Sequence, residues 1–297
     1  MTPSSTASAP DTRLELMKLH ELPAMSEVAQ QFMAAIQRND CQIGELAAII
    51  EQDPALLARI VGVANSAYYS PSPPVTTAYD AIFKVLGLDT SKSLVLAIIL
   101  SGPFELGRCP RFPVHDFWLE SVFAATLAQT MAPLMRLESA PPPGAPYLSA
   151  LLAQIGLLAM VHVYPQPMGA IFTSLEGESH ARAEALVCQE AAALGVNHCE
   201  VGAWLARRWH LPPMTVAVLE HHLDPSWRGA HWPLSLLVGF CLRWAIAAVQ
   251  QGEDEDYPCL SELEPLGVDI AQAGKKLGTV ALKLDELRQL AEGFAGR

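Results

Sequence analysis

The segment YLSALLAQIGLLAMVHVYP, residues 147–165, is apolar on nearly all sides of a helix. A helix without a polar face cannot lie on a protein surface, so other elements must enclose it. Gln154 and His162 interrupt its apolar run, which is therefore shorter than the uninterrupted span of about 20 residues that a bilayer-crossing helix requires. The segment predicts a central buried helix around which others pack.

The first hundred residues divide into short helical segments, because their apolar residues recur at spacings of three and four. Ser26 and Asp53 are typical helix N-caps, and Pro54 suits the first turn that follows. Five helices are predicted here, in the segments SEVAQQFMAAIQ, CQIGELAAIIEQ, DPALLARIVGVANSAYY, TAYDAIFKVLGL and DTSKSLVLAIILSG.

A second helical region begins near Val114 and runs to the C-terminal part of the chain. Helical periodicity recurs in HDFWLESVFAATLAQTMAPLM, ARAEALVCQEAAAL, HCEVGAWLARRWH, PPMTVAVLEHHL and LSLLVGFCLRWAIAAVQ. An acidic connector, GEDEDYPCLSE, then precedes an amphipathic segment that predicts one or two surface helices. No convincing period-two alternation occurs, so the predicted fold is all-α, a single bilobed body with a boundary near residues 105–113.

Composition favours a compact globule and argues against nucleic-acid binding. With 51% hydrophobic and 17% charged residues among 297, the chain can form a compact globule. Its formal net charge of −12 gives an acidic surface that repels phosphate backbones, so nucleic acid is not expected as a partner.

The cysteines and the N-terminus indicate a cytoplasmic protein. The six cysteines contain no CxxC pair, which favours a reducing compartment and packing roles rather than zinc ligation. The start MTPSSTASAPDTR lacks the basic and apolar pattern of a secretory signal, so residues 1–14 are predicted to form a flexible tail. Neither export nor membrane attachment is expected.

Several motifs in the same order give the chain a resemblance to the HDOD proteins, regulatory relatives of the HD phosphohydrolases. The motifs are LP at Leu22, DP at Asp53, ANSAYYS, AIFKVLG, FW at Phe117, ALLAQIGLLAM, LGVNHCEVGAWLARRW and LEHHLDP. The resemblance implies an HDOD domain over residues 15–245. Within it, a five-helix lobe (15–108) would pack on a degenerate HD-like lobe (113–245), leaving 246–297 as the acidic connector and C-terminal helices.

The resemblance also implies that the metal site of the catalytic HD enzymes is lost. Those enzymes hold a divalent ion with an upstream His, an adjacent His-Asp pair and a later Asp. The segment similar to LLHDIG reads LLAQIG, so Ala153 and Gln154 stand where the pair would be, while Glu120 and Cys241 occupy the other two positions. A methyl group donates no electron pair and an amide is a weak replacement for a carboxylate, so no metal, cofactor or catalytic residue is expected.

Three histidines remain, namely His198, His221 and His222, and they resemble auxiliary histidines of the cyclic-dinucleotide phosphodiesterase branch. Adjacent helical residues point about 100° apart, so one of the neighbouring pair should face away from the site. We favour a structural interpretation, with one histidine hydrogen-bonded between helices and the other near a helix C-terminus. A metal or ligand contact through Glu120, His198 and one of the pair is the alternative.

Other polar and aromatic residues have a structural and a functional interpretation. Asn65 and Ser66 could mark a ligand pocket, but a capping role is favoured. The late tryptophans could stack on a base, and Arg207 or Arg208 could contact a phosphate, but core filling and a solvated helix face are the favoured interpretations. The tryptophans are Trp204, Trp209, Trp227, Trp232 and Trp244.

The resemblance implies a non-catalytic module of bacterial signal transduction that binds signalling proteins, in circuits touching cyclic di-GMP, motility or stress responses. A small nucleotide regulator stays open as a further ligand. Two alternatives remain: a divergent metal phosphohydrolase that uses Glu120, His198, His221 and His222, and a nucleotide-binding sensor without turnover.

Overall fold

The structure is a computed structural model that describes residues 25–38, 40–137, 140–175, 182–250 and 257–295. Within these ranges every regular element is helical and no strand occurs, which confirms the all-α class. The predicted tail (1–14) and the acidic run of the connector lie outside the described residues.

The N-terminal part contains five helices, as predicted. Ser26 caps the first by accepting a hydrogen bond from the Ala29 amide, and Asp53 caps the third by accepting from Ala55 and Leu56. The helices are α1 (Glu27–Ile36), α2 (Ile43–Ile50), α3 (Pro54–Ala64), α4 (Ala78–Asp80, continued by π-helical turns over Ala81–Leu86) and α5 (Leu88–Ser101).

A short link with one 3-10 turn, Leu106–Arg108, leads from α5 into the second group of helices. This group comprises α6 (Val114–Met131), α7 (Ala145–Leu152), α8 (Ile155–Val163), α9 (Pro165–Ser174), α10 (Arg182–Leu194), α11 (His198–Arg208), α12 (Pro213–His221) and α13 (Trp232–Val249). The sequence did not predict α9, because Pro165 and Pro167 resemble a break, although prolines are tolerated in a first helical turn.

The central apolar segment is buried as predicted, but the prediction of one continuous helix is wrong. The chain turns at Ala153 and Gln154, between α7 and α8. The stretches Ala145–Val163 and Trp232–Val249 are long and apolar enough to cross a membrane, but 83% and 78% of them are buried inside the body. Core helices have the same composition, so burial explains their apolar character.

One contiguous hydrophobic core extends through both groups of helices. Helix α6 lies at its centre, packed against α7 and α13, and residues such as Phe123 are fully buried there. Helix α5 contacts α7, which joins the N-terminal group to the second group.

The C-terminal segment forms a 3-10 stretch (Leu260–Leu266), α14 (Ile270–Ala281) and α15 (Leu284–Ala295). Helix α15 packs against both α6 and α3, so it connects the two groups of helices. Phe294 is buried and stacks on Trp118, with ring centroids 4.9 Å apart. The interpretation of this segment as surface helices is therefore incomplete, because one face of α15 is part of the core.

Candidate functional site

Four residues that the sequence singled out line one cavity within the second group of helices. Glu120 comes from α6, Gln154 from the turn between α7 and α8, His198 from the first position of α11, and His222 from the residue after α12. All four are buried. The fold thus brings together residues that are up to about a hundred positions apart in the chain.

The cavity is small and mostly apolar. Its volume is about 40 Å³, and about 10–15 Å³ of such volume is enough to hold one water molecule. It therefore has room for water molecules or an ion. The remaining lining residues are Phe112, Pro113, Phe117, Leu157, Phe172, Ala183, Leu186, Leu223, Leu242, Ile246 and Gln250.

His198 is held by a buried carboxylate on the preceding helix. Glu190 Oε2 lies 2.7 Å from His198 Nδ1 and also accepts a hydrogen bond of 2.9 Å from the His198 backbone amide. Burial of the ring disfavours its charged form, but the negative charge of Glu190, together with Cys199, outweighs that effect and holds the pKa of His198 well above its ordinary value. The buried carboxylate therefore favours the charged form of the His198 ring.

His222 has the opposite character. Its Nδ1 lies 3.0 Å from the Val218 carbonyl and 3.2 Å from the Leu219 carbonyl, so Nδ1 carries the proton and donates it to its own helix. Burial, reinforced by the charge of His198, lowers the pKa of His222 to about 3. The ring is neutral, and its Nε2 is buried without a hydrogen-bond partner among the described residues.

His221 faces away from the cavity, as the angle between adjacent helical residues predicts. It is the last residue of α12, and its ring stacks on Trp227 with centroids 4.0 Å apart. The favoured interpretation is thus partly correct, since one histidine does lie at a helix C-terminus. The expected bond between helices is wrong for His222, because its Nδ1 bonds to carbonyls of its own helix.

Two glycines allow the backbones that carry the cavity histidines to pack closely. A Cβ on Gly156, in α8, would lie 2.0 Å from the His198 carbonyl oxygen. A Cβ on Gly239, in α13, would lie 1.8 Å from the His222 carbonyl oxygen. Real Cβ contacts are not this short, so only glycine permits these helix contacts, and they fix the positions of both histidines.

The resemblance places Ala153, Gln154 and Cys241 at three of the HD metal positions, and none of these side chains offers a carboxylate or an imidazole. Ala153 is buried and offers only a methyl group, while Gln154 offers a neutral amide whose Nε2 has no partner in the described chain. Cys241 is fully buried, is not among the cavity-lining residues, and has a thiol pKa that burial raises. A hard cation that needs carboxylate oxygens finds none at the three positions Ala153, Gln154 and Cys241.

Sequence reasoning missed Glu190 and did not assign a site role to Cys199. Glu190 lies four residues after Leu186 and four before Leu194, so it is on the buried stripe of α10. A carboxylate on an apolar stripe signals a buried partner, and this spacing could have identified it. Cys199 is buried, and its sulfur lies within 4.8 Å of ligand atoms of His198 and His222.

The residues considered for nucleotide contact are dispersed. Arg207 pairs with Glu220, and Arg208 lies over the Trp204 ring. The other four tryptophans contact different partners: Trp209 packs near Phe104, Trp227 on His221, Trp232 under Arg228, and Trp244 against Phe123 and Tyr257.

Asn65 has a structural role. It is the C-cap residue of α3, and its side-chain amide forms two hydrogen bonds with the Val75 backbone, of 2.8 and 2.9 Å. The amide thereby ties the end of α3 to the segment that enters α4. The neighbouring Ser66 hydroxyl is buried without a partner among the described residues.

Solved structures share this fold. A protein from Marinobacter aquaeolei VT8, provisionally named a signal transduction protein, aligns with a TM-score of 0.81 at 21% identity, covering 96% of this chain and 66% of its own. A protein from Shewanella amazonensis SB2B, provisionally named a phosphohydrolase, aligns with a TM-score of 0.73 at 23% identity. The alignment covers 94% of this chain and 97% of that protein. An HDOD domain protein of unknown function from Geobacter sulfurreducens aligns with a TM-score of 0.67 at 22% identity. The alignment covers 93% of this chain and 99% of that protein.

Among curated proteins, an uncharacterized protein of Treponema pallidum (strain Nichols) is 23% identical over 225 residues. The match covers 75% of this chain but only 42% of that relative. The family model of the HDOD domain matches residues 22–225, which is more than half of the chain. This chain therefore belongs to the HDOD family.

Proposed function

We propose that this protein is a non-catalytic module of a bacterial signal-transduction pathway and that it acts by binding partner proteins. The observation that carries the proposal is the residue pair Ala153 and Gln154 at the turn between α7 and α8. In the catalytic HD enzymes the corresponding pair supplies an imidazole and a carboxylate, and without them a phosphohydrolase metal centre has no basis.

The size of the cavity supports the same proposal. A volume of about 40 Å³, lined mostly by apolar side chains, is small for a phosphodiester together with its catalytic ion and attacking water. A role that does not require substrate in this cavity agrees with that geometry. Membership in the HDOD family agrees with signalling as the setting.

An exposed aromatic pair supports a role in protein binding. Tyr79 and Phe83, on α4, are 46% and 62% exposed and stack with centroids 5.7 Å apart. Exposed aromatic side chains are frequent anchors of protein interfaces, because they bury a large area with little loss of conformational freedom. Leu282, between α14 and α15, is 89% exposed and offers a matched apolar control at a different place.

The absence of phosphohydrolase activity is tested with the full-length chain after its affinity tag has been removed. Purified protein is incubated with cyclic di-GMP and with bis-p-nitrophenyl phosphate in the presence of Mg²⁺, Mn²⁺ or Fe²⁺. We expect no turnover above the protein-free control. Hydrolysis that His198→Ala abolishes would refute the non-catalytic assignment.

The binding part is tested by quantitative co-purification from the source cell, followed by binding of each purified candidate. We expect at least one signalling protein to bind the purified chain directly, and Tyr79→Ala/Phe83→Ala to weaken that binding while Leu282→Ala does not. If the wild type, the Tyr79→Ala/Phe83→Ala variant and the Leu282→Ala variant bind a direct partner equally well, the aromatic pair is not part of the binding surface. Saturable binding of a cyclic dinucleotide, with no protein partner, would replace the proposal with a nucleotide sensor.

A further inference from the structure

We infer that His198, Cys199 and His222 form a site for a soft divalent metal ion, for which zinc is the best fit. Each residue offers one ligand atom, and these atoms lie within 4.8 Å of one another. The three side chains are only 2%, 6% and 2% exposed. The inference goes beyond the proposed function and does not depend on it, since an ion here would tie helices together rather than hydrolyse a substrate.

The second ring nitrogen of each histidine is already held in the way that zinc-binding histidines are held. Ligand imidazoles in metal sites almost always donate their other N–H to a carboxylate or a backbone carbonyl. Nδ1 of His198 lies 2.7 Å from Glu190 Oε2, and Nδ1 of His222 lies 3.0 Å from the Val218 carbonyl. His222 therefore keeps Nε2 for another contact, while the His198 ring also hydrogen-bonds the Cys199 side chain.

The free nitrogen of His222 is the independent sign that a ligand belongs here. His222 Nε2 is buried and has no hydrogen-bond partner among the described residues. A buried polar atom without a partner costs free energy, and native proteins rarely leave one unsatisfied. A metal ion is one group that would satisfy it, and the donor atoms nearby are those of His198 and Cys199.

The backbone around the site is rigid enough to hold the ligands in place. His198 begins α11 and is packed against Gly156, while His222 follows α12 and is packed against Gly239. Because no side chain fits between these backbones, neither histidine can move away from its glycine without disrupting a helix contact, and α11 also packs directly against α12. An ion would join the start of α11 to the end of α12.

The chemistry of the ligands selects the ion. Two imidazoles and a thiolate favour zinc over magnesium, calcium or manganese, which prefer oxygen. Zinc binds nitrogen at about 2.0–2.1 Å and thiolate sulfur at about 2.3 Å, so a tetrahedral ion would draw the three atoms closer together through side-chain adjustment. The adjoining cavity of about 40 Å³ has room for a water molecule as a fourth ligand.

Charge also balances at this site, unlike at the lost His-Asp pair. The Cys199 thiolate and the Glu190 carboxylate would together offset the two positive charges of zinc. Zinc binds a thiolate and neutral imidazoles, so any proton on these ligand atoms leaves as the ion binds. Cys199 thus becomes a ligand in this inference, instead of the packing residue that the unpaired cysteine spacing favours.

The test measures metal in the full chain after removal of any histidine tag. Protein from zinc-supplemented cells is dialysed without chelator and analysed by mass spectrometry of the metals, and metal-free protein is titrated with zinc against a chromophoric chelator. We expect near-equimolar zinc in the wild type. Cys199→Ala and His222→Phe should weaken zinc binding by more than about 100-fold, because even an outer-shell change costs about 10–100-fold.

Cys241→Ala is the matched control, because Cys241 is also buried and lies outside the three-residue group. It should retain zinc as the wild type does. A wild type that neither contains nor takes up zinc, or a Cys199→Ala protein that binds as tightly as the wild type, would overturn the inference.

A second measurement needs no variant and is therefore independent of any folding defect. Metal-free wild type is titrated with Co²⁺ and followed by absorption. Thiolate-to-cobalt charge transfer in the near ultraviolet, together with intense tetrahedral d–d bands, is expected. Weak octahedral bands alone, without charge transfer, would show that Cys199 is not a ligand.

Discussion

Glu190 holds His198 at two points, since its Oε2 lies 2.7 Å from the ring Nδ1 and 2.9 Å from the backbone nitrogen. Both side chains are buried, so removal of the carboxylate leaves the His198 ring without its partner inside the protein. We expect Glu190→Ala to lower the free energy of unfolding of the metal-free protein by about 3–5 kcal/mol, the usual cost of breaking a buried ion pair. Urea denaturation at neutral pH measures it.

Glu184, on the exposed side of the same helix, is the control for that variant. Glu184→Ala should change the free energy of unfolding by no more than about 0.5 kcal/mol. If both alanine variants lose less than about 1 kcal/mol, the buried pair does not contribute to stability as its geometry indicates.

Gly156 and Gly239 should be intolerant of even one added methyl group. A new Cβ would lie 2.0 Å from the His198 carbonyl oxygen at Gly156 and 1.8 Å from the His222 carbonyl oxygen at Gly239. The steric clash can be relieved only if the two packed backbones move apart. We expect either alanine substitution to lower the free energy of unfolding by about 3 kcal/mol or more. Thermal and urea denaturation followed by circular dichroism provide the measurement.

A helical glycine with open space shows the opposite behaviour. A Cβ on Gly278, in α14, would meet nothing within 4 Å. Gly278→Ala should therefore stabilise the protein by about 0.5–1 kcal/mol, because alanine loses less conformational freedom in a helix. Equal destabilisation at Gly156, Gly239 and Gly278 would mean that close helix approach is not the cause.

Helical periodicity was sufficient to predict the all-α class and the five N-terminal helices, because an amphipathic face records which side of a helix is buried. It did not predict the turn at Ala153 and Gln154. A helix break is visible in a sequence when the apolar stripe changes position, and a segment that is apolar on all sides has no such stripe. The sequence also did not predict that α15 connects the two groups of helices. The surface that a helix covers depends on contacts with residues far away in the chain.

The candidate site was predictable only in part. The resemblance identified Glu120, Gln154, His198 and His222, and these converge on one cavity. Glu190, the electrostatic partner of His198, was missed because a charged residue in a helix is usually solvated. The short distance between Glu190 and His198 arises only in the tertiary structure.

The C-terminal helix should contribute substantially to stability although the family match ends at residue 225. Phe294 is 3% exposed and stacks on Trp118. Phe294→Ala should lower the free energy of unfolding by about 3–5 kcal/mol, because it removes a large buried ring and leaves a cavity. Leu282→Ala, at an 89% exposed position, should change it by no more than about 0.5 kcal/mol. A Phe294→Ala protein as stable as the wild type would show that α15 is not docked on α6.

Cys259 should be the more reactive of the two exposed cysteines, Cys188 and Cys259. Hydrogen bonds from the Ser261 hydroxyl, 3.0 Å from the sulfur, and from the Ser261 amide lower the pKa of the Cys259 thiol against the opposing charges of Glu262 and Glu264. A lowered pKa means that thiolate, the nucleophilic form, is present at lower pH, so alkylation should begin at lower pH than for an ordinary thiol.

Ser261→Ala removes the hydroxyl and retains the amide. We expect it to move the pH profile of Cys259 alkylation upward and to slow the reaction at pH 7 by roughly twofold to tenfold, the effect of one hydrogen bond. Peptide-level mass spectrometry after timed iodoacetamide treatment measures both cysteines in one sample, with Cys188 as the internal control. Superimposable Cys259 profiles in the wild type and Ser261→Ala would show that the hydroxyl does not stabilise the thiolate, whereas a parallel slowing of Cys188 would indicate a change in the protein as a whole.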